Sequence, residues 1–322
     1  MKRIMSGSRP TGRLHIGHLF GALEQWAEFS HSDDETFFEI ADYHALTTGF
    51  ERTAEIAPNI TEMVLDWIAA GIDPARSTLY VQSHIPQIPE LHLRLSMIVP
   101  VSWLQRVPTY KDQIDALGPE IATYGFLGYP LMQLVDIAVM RGDTVPVGRD
   151  QLAHLEFGRE VVRRFNFLYA PVLVEPQATL SEFPDVPGLD GRKMSKSYGN
   201  AIDLADDAET TTKKVRSMVT DPNKIRRHDP GNPDICPVFK LHHSVNASRV
   251  PVIREECSSG ALGCVDCKSE LAERLNAHLV PVRERRAAVD PASVGPILAE
   301  GEARARAVAE ATLADVRAAM KM

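Results

Sequence analysis

Residues 191–200 read GRKMSKSYGN and set Arg192, Lys193 and Lys196 among two glycines, three hydroxyl residues and an asparagine. Nothing in that stretch can fill a core. It is either a solvated loop or a pliable clamp for a polyanion: lysine is a point charge on a flexible stem, and Ser195 and Ser197 add neutral donors. A second group lies near the N-terminus. The string HIGH puts His15 and His18 three residues apart. At a helix start both imidazoles can face one ligand and donate to phosphate oxygens, and Gly17 leaves room for a flat base. Taken alone, the pair could equally be two surface histidines on a turn. A third group is Tyr129, Gln133 and Asp136 within GYPLMQLVDIAVM (128–140). Spacings of four and three put a phenol, an amide and a carboxylate on one helix face, and the apolar flanks Leu131, Leu134 and Ile137 argue against a solvated helix. Asp136 could accept a hydrogen bond from a ligand N–H. The fourth group is Cys236, Cys257, Cys264 and Cys267, the chain's four cysteines, which end in a C-V-D-C pair. Four thiolates so clustered suit zinc or an iron–sulfur cluster.

The elements that must position these groups are an α/β set followed by helices. RIMSG (3–7), TFFEIAD (36–42), TLYVQS (78–83) and VPVG (145–148) read as buried strands. Helical spacing follows from Gly17, over Ile60, Val64, Trp67 and Ile68 up to Gly71, and over Leu152, Leu155, Val162 and Phe165. Strands alternating with helices predict a doubly wound parallel sheet. Beyond about residue 187 strand signals fade and helix formers dominate, which predicts a catalytic domain over 1–186 and a helical domain over 187–322 with GRKMSKSYGN at the join. SGSRPTGRLHIGHLFGAL (6–23) joins the first strand to the first helix, where such folds bind nucleotides, yet it lacks G-x-G-x-x-G.

Composition narrows the function classes. A net charge of −8 argues against indiscriminate nucleic-acid binding, but residues 192–227 hold nine Lys/Arg against five Asp/Glu and so form a local basic region. No apolar run approaches the roughly 18 residues of a membrane helix, and MKRIMSGSRP has no apolar stretch behind its basic residues, so neither a membrane nor a secretory route is expected. The expectation is a cytoplasmic protein.

HIGH followed by KMSKS across an α/β domain resembles the class I aminoacyl-tRNA synthetases. RPTG (9–12), ADYHALTT (41–48), PVGRDQ (146–151) and LDGRKMSKSYGN resemble the bacterial tryptophanyl branch of that family, and DPGNP (229–233) extends the likeness into the helical part. The resemblance implies a Rossmann-like catalytic domain and an α-helical anticodon-binding domain, whose last helix could pack back on the catalytic domain. It also implies activation of L-tryptophan with ATP and Mg²⁺, transfer to the 2′-OH of tRNA(Trp), a homodimer, and neither a membrane nor a DNA partner. The attacking carboxylate, with a pKa of about 3.5, is already ionised, so no general base is needed; the work is positioning and charge stabilisation.

His15, His18, Lys193 and Lys196 would be catalytic. Arg9, Pro10, Thr11, Gly17, Gly148, Arg149, Asp150, Met194, Ser195 and Ser197 would help bind ATP, and Asp136, Tyr129, Gln133, His44 and Gln151 would hold tryptophan. Two departures matter. The family usually has Glu where this chain has Arg149, which leaves Gly148 and Asp150 as backbone contacts. Tyr-x-x-x-Gln-x-x-Asp is also a tyrosine-enzyme pattern, so a tyrosyl-tRNA synthetase is the alternative, with a non-catalytic tRNA-binding or redox-responsive relative as a further one. The four cysteines resemble those of a subset that carries [4Fe–4S], with a first gap two residues shorter; zinc is the alternative. The resemblance places that region near the anticodon-reading surface, with Arg226, Arg227 and Lys268 as candidate phosphate contacts.

Overall fold

A computed structural model of the chain describes residues 1–180 and 186–322, and at 109, 113, 116, 117, 150 and 197 the backbone alone. Five strands form one sheet: β1 (Arg3–Ser8), β2 (Glu35–Ile40), β3 (Thr78–Val81), β4 (Thr144–Val147) and β5 (Gln177–Leu180). Their order is β3-β2-β1-β4-β5 and every pair is parallel. The order in which the chain adds strands reverses between β1 and β4, which creates a crevice at their carboxyl ends.

Alternation along β2 divides the core. Phe38 and Ile40 face one side of the sheet, with Leu14, Trp26 and Trp67; Phe37 faces the other, with Met5, Tyr80 and Val135. Trp26 stacks on Phe38 with ring centroids 4.9 Å apart and meets Trp67 edge-on at 5.5 Å. The first core does not stop at the sheet. It continues through Met194, Ile202, Val238 and Phe239 to Leu271 and Leu279, so the helical part shares it.

Several expected strands end early. β2 stops at Ile40 because Asp42 opens a helix (Asp42–Gly49), its Oδ1 accepting from the backbone N–H of Tyr43 and Ser83. β3 stops at Val81, and Gln82 turns into a 3₁₀ segment. β5 was not expected from the sequence. It is a short, mostly exposed edge strand with no apolar alternation to betray it. The helix expected from Gly17 spans 16–30, with a π-helical stretch at Leu19–Leu23. The helix ending near Gly71 is Ile56–Ala70, closed by that glycine at φ 111°, a left-handed cap suited to glycine.

Beyond residue 187 the regular elements among the described residues are helices, ending in Cys264–Ala288 and Val294–Met320. The last helix lies on β3. Gly301 meets the strand backbone so closely that a Cβ there would sit 1.9 Å from the Leu79 carbonyl oxygen. Arg304 Nη2 donates to the Ser77 carbonyl at 2.8 Å, and Arg141 Nε donates to Thr312 Oγ1 at 2.9 Å.

Candidate active site

The crevice between β1 and β4 opens into a cavity of about 340 Å³. Met5–Arg9 on one side and Val145–Gly148 on the other form its mouth, and Glu39, His44, Tyr129, Gln133, Asp136 and Gln151 line its walls. The five residues expected to hold an amino acid therefore share one cavity. Helix Tyr124–Val139 supplies three of them from one face.

Asp136 is buried and well partnered. Gln82 Nε2 bridges its two oxygens at 2.9 and 3.0 Å, and His44 Nε2 lies 3.0 Å from Oδ2. Around Tyr129 a second chain of contacts runs from its hydroxyl to His154 Nε2 (2.8 Å), from His154 Nδ1 to Gln151 Oε1 (2.9 Å), and from Gln133 Nε2 to Gln151 Oε1 (3.5 Å). His154 and Gln82 were not expected in the site. Neither carries a spacing signal, since each reaches it from another element.

A second cavity, of about 530 Å³, is lined by Arg9, Thr11, His15, Gly17, His18, Arg52, Lys193, Met194, Ser195 and Lys196. Arg9 belongs to both cavities. The two histidine rings lie 3.8 Å apart. His18 Nδ1 accepts the backbone N–H of His15 at 3.2 Å, which leaves Nε2 as the protonated nitrogen of the neutral ring. Burial pushes His18 down to about 3 and His15 down to about 4, with the Lys196 charge adding to both. Both are neutral donors at pH 7. Gly17 is needed for a reason other than base approach: the His15 ring fills the space where its Cβ would stand, 2.8 Å away.

The basic loop is anchored at several points. Met194 is buried against Gly17, and Asn200 accepts from the Ser195 N–H at 2.8 Å while donating to Asp190 at 2.7 Å. Lys196 Nζ and His15 Nδ1 are buried polar atoms with no hydrogen-bond partner among the described residues. Burial lowers the Lys196 pKa. Not every expected residue comes in. Pro10 is buried but lines neither cavity, and Arg149 is exposed and lines neither. The side chains of Asp150 and Ser197 lie outside the described residues.

All four cysteines line a third, small cavity of about 20 Å³ together with Lys224 and Phe239. They are free thiols. Burial, then the three neighbouring thiols, pushes Cys267 up to about 12. Gly231 of DPGNP closes over them: its N–H donates to the Cys257 carbonyl at 2.9 Å, and a Cβ there would stand 2.8 Å from Cys257 Sγ. Among the described residues, no three His, Cys, Asp or Glu side chains stand in a ligating arrangement. Arg227 pairs with Asp266 at 3.1 Å and Lys268 donates to the Arg216 carbonyl at 3.0 Å.

The two adjoining cavities open at the carboxyl ends of β1 and β4, where open parallel α/β sheets bind their ligands. Residues 1–280 match the family of class I tRNA synthetases for W and Y, and the chain belongs to that family. Among its relatives, the tryptophan–tRNA ligase of Thermotoga maritima is 45% identical over 99% of each chain, and that of Aquifex aeolicus is 40% identical over 99% of this chain and all of its own. The tryptophanyl-tRNA synthetase of Campylobacter jejuni, solved with ADP and tryptophan, superposes with a TM-score of 0.84 at 30% identity, covering 99% of this chain and 100% of that one. No described helix is long and apolar enough to cross a membrane.

Proposed function

We propose that the chain activates L-tryptophan with ATP and transfers it to tRNA(Trp), releasing AMP and pyrophosphate. One observation carries this reading: an amino-acid-sized cavity and a cation-lined cavity meet at Arg9, and a buried ammonium, Lys196 Nζ, and a buried ring nitrogen, His15 Nδ1, have no acceptor among the described residues. A triphosphate supplies those acceptors. The substrate carboxylate, seated near Gln151, attacks the α-phosphorus at the junction. Neutral His15 and His18 donate to phosphate oxygens, and Lys193 and Lys196 take the charge building on the leaving pyrophosphate. Mg²⁺ travels with ATP and needs no protein cage. Asp136 accepts the indole N–H; phenylalanine, which cannot donate there, is rejected.

The names of the relatives favour tryptophan over tyrosine. ATP–pyrophosphate exchange tests the choice: exchange with tryptophan and little with tyrosine is expected, and exchange with neither overturns the reading. The catalytic unit corresponds to 1–186 and the helical, tRNA-reading unit to 187–322. The homodimer rests on the resemblance to the family alone.

The cysteine cavity fits a metal group by its donor chemistry, four thiols turned into one apolar space. Cys236, Cys257, Cys264 and Cys267 would hold a [4Fe–4S] cluster, which would tie a loop lacking enough apolar residues of its own. Iron and acid-labile sulfide in a brown anaerobic preparation are expected; zinc without iron would make the site a zinc one.

A further inference from the structure

β2 turns one carboxyl group, Glu39, toward the first cavity, and it is only 1% exposed. A phenol and two carboxylates face it. From β3 the Tyr80 hydroxyl donates to Oε2 at 3.0 Å. From helix Tyr124–Val139 Asp136 stands within hydrogen-bonding reach, and Asp42, at the start of helix Asp42–Gly49, adds a second negative charge. From β1 the opposing residue is Gly7, uncharged and so close that a Cβ there would lie 3.2 Å from the Glu39 Cβ. Burial, then the Asp136 charge, holds Glu39 well above the usual carboxylate range. Its burial against two other carboxyls favours the neutral acid form, with one O–H to give, as in other apolar, anion-facing sites. The Tyr80 hydroxyl also lies 3.6 Å from Met5 Sδ, a weak acceptor, so its hydrogen goes to Glu39 at 3.0 Å, and the carboxyl facing the acid proton is then Asp136.

Lone-pair accounting on Asp136 shows what this achieves. An ionised carboxylate offers about four acceptor positions. Gln82 and His44 engage both oxygens, and the Glu39 proton takes a further position. Gln82 makes two of those contacts, His44 one and Glu39 one, so the carboxylate is held from every side and a donor entering from the cavity shares an oxygen already fixed in place. We infer that Glu39 is a positioning residue for the amino-acid side chain: its acid O–H fixes Asp136 in the orientation from which Asp136 accepts the indole N–H. The inference rests on the tryptophan reading above and assigns a role that neither the histidine nor the lysine motif carries. It also accounts for a carboxyl group inside a buried stretch of strand.

Two substitutions separate this role from packing. Glu39→Gln keeps a donor for Asp136 and an acceptor for Tyr80. Glu39→Leu keeps the approximate volume and loses both. In ATP–pyrophosphate exchange, Glu39→Gln should hold KM for tryptophan within about threefold of wild type, while Glu39→Leu raises it about tenfold or more, the loss expected for one buried hydrogen bond. KM for ATP should stay within about twofold in both. Infrared difference spectra on tryptophan binding should show the band of a protonated carboxylic acid in wild type and not in Glu39→Gln. An unchanged tryptophan KM in an active, folded Glu39→Leu, or no such band in wild type, overturns the inference and leaves the function standing. Wild-type enzyme that does not exchange with tryptophan overturns the function itself. If Glu39→Leu does not fold, the Glu39→Gln KM and the infrared band decide alone.

Discussion

Lys196 ends in an ammonium group buried from solvent with no acceptor among the described residues. Such a group destabilises the free protein and becomes useful when an anion arrives. Lys196→Ala should therefore slow adenylate formation in single-turnover experiments by roughly 10²–10³, the usual cost of removing one preorganised donor, while tryptophan binding changes by less than about threefold. Equal losses in both would show that the loop does not act on the phosphates. The histidines make a pH prediction. Their ordinary value is 6.5, and the folded chain holds His15 at about 4 and His18 at about 3. Between those limits the unfolded chain takes up protons that the folded one refuses, so stability falls as pH drops below about 6.5. The loss of urea midpoint from pH 7 to pH 5 should be smaller in His18→Gln than in wild type. Much of this was legible in residue type and spacing, because His15, His18, Lys193, Lys196 and Asp136 sit in short motifs. Gln82 and His154 were not, since what makes them important is a contact across the fold. Glu39 did leave a signal, one carboxylate inside an apolar strand, which says that a partner exists but not which.

Among the elements, the parallel strands that carry Met5, Phe37 and Tyr80 were visible as apolar runs, and the crevice followed from their order. β5 was invisible because an exposed edge strand has no buried face to pattern it. The fit of the last helix on β3 was invisible for another reason. Gly301 lies inside a run of good helix formers, where a glycine costs up to about 1 kcal/mol against alanine and has no local purpose. Its purpose is the Leu79 backbone, which leaves no room for a methyl group. The usual stabilising effect of Gly→Ala in a helix should thus reverse. Gly301→Ala must push helix Val294–Met320 off the strand or distort it, at a cost of about 1–3 kcal/mol or more, read as a lowered urea midpoint. Gly295, on the same helix with open space around it, is the control: Gly295→Ala should be neutral or mildly stabilising.

Across the whole molecule, one core runs from the sheet into the helical part, and one polar junction ties both to the histidine motif. Asp66, fully buried on helix Ile56–Ala70, accepts the Leu14 N–H at 2.8 Å, immediately before His15. Arg286 of helix Cys264–Ala288 reaches across to Asp66 and to Glu62, the latter at 2.7 Å. The residue that fixes where the histidine helix begins is therefore itself held by the helical half. Burial raises Asp66 to about 6 even with Arg286 opposing it. Arg286→Leu removes that opposition and leaves a carboxylate buried without its cation, a change that costs about 3–5 kcal/mol in comparable sites. The sign of its pH dependence follows. A carboxyl whose folded pKa lies above its unfolded value of 3.8 favours the folded state at low pH and loses that advantage as pH rises through the folded value. Without Arg286 the folded value moves higher still, so the stability deficit of Arg286→Leu against wild type should be larger at pH 8 than at pH 5. Urea denaturation of both proteins at the two pH values measures it, and a deficit independent of pH would mean that Arg286 acts through packing alone. Because Asp66 also holds Leu14, the same variant should raise KM for ATP more than KM for tryptophan, linking the helical half to the phosphate side of the site through one carboxylate.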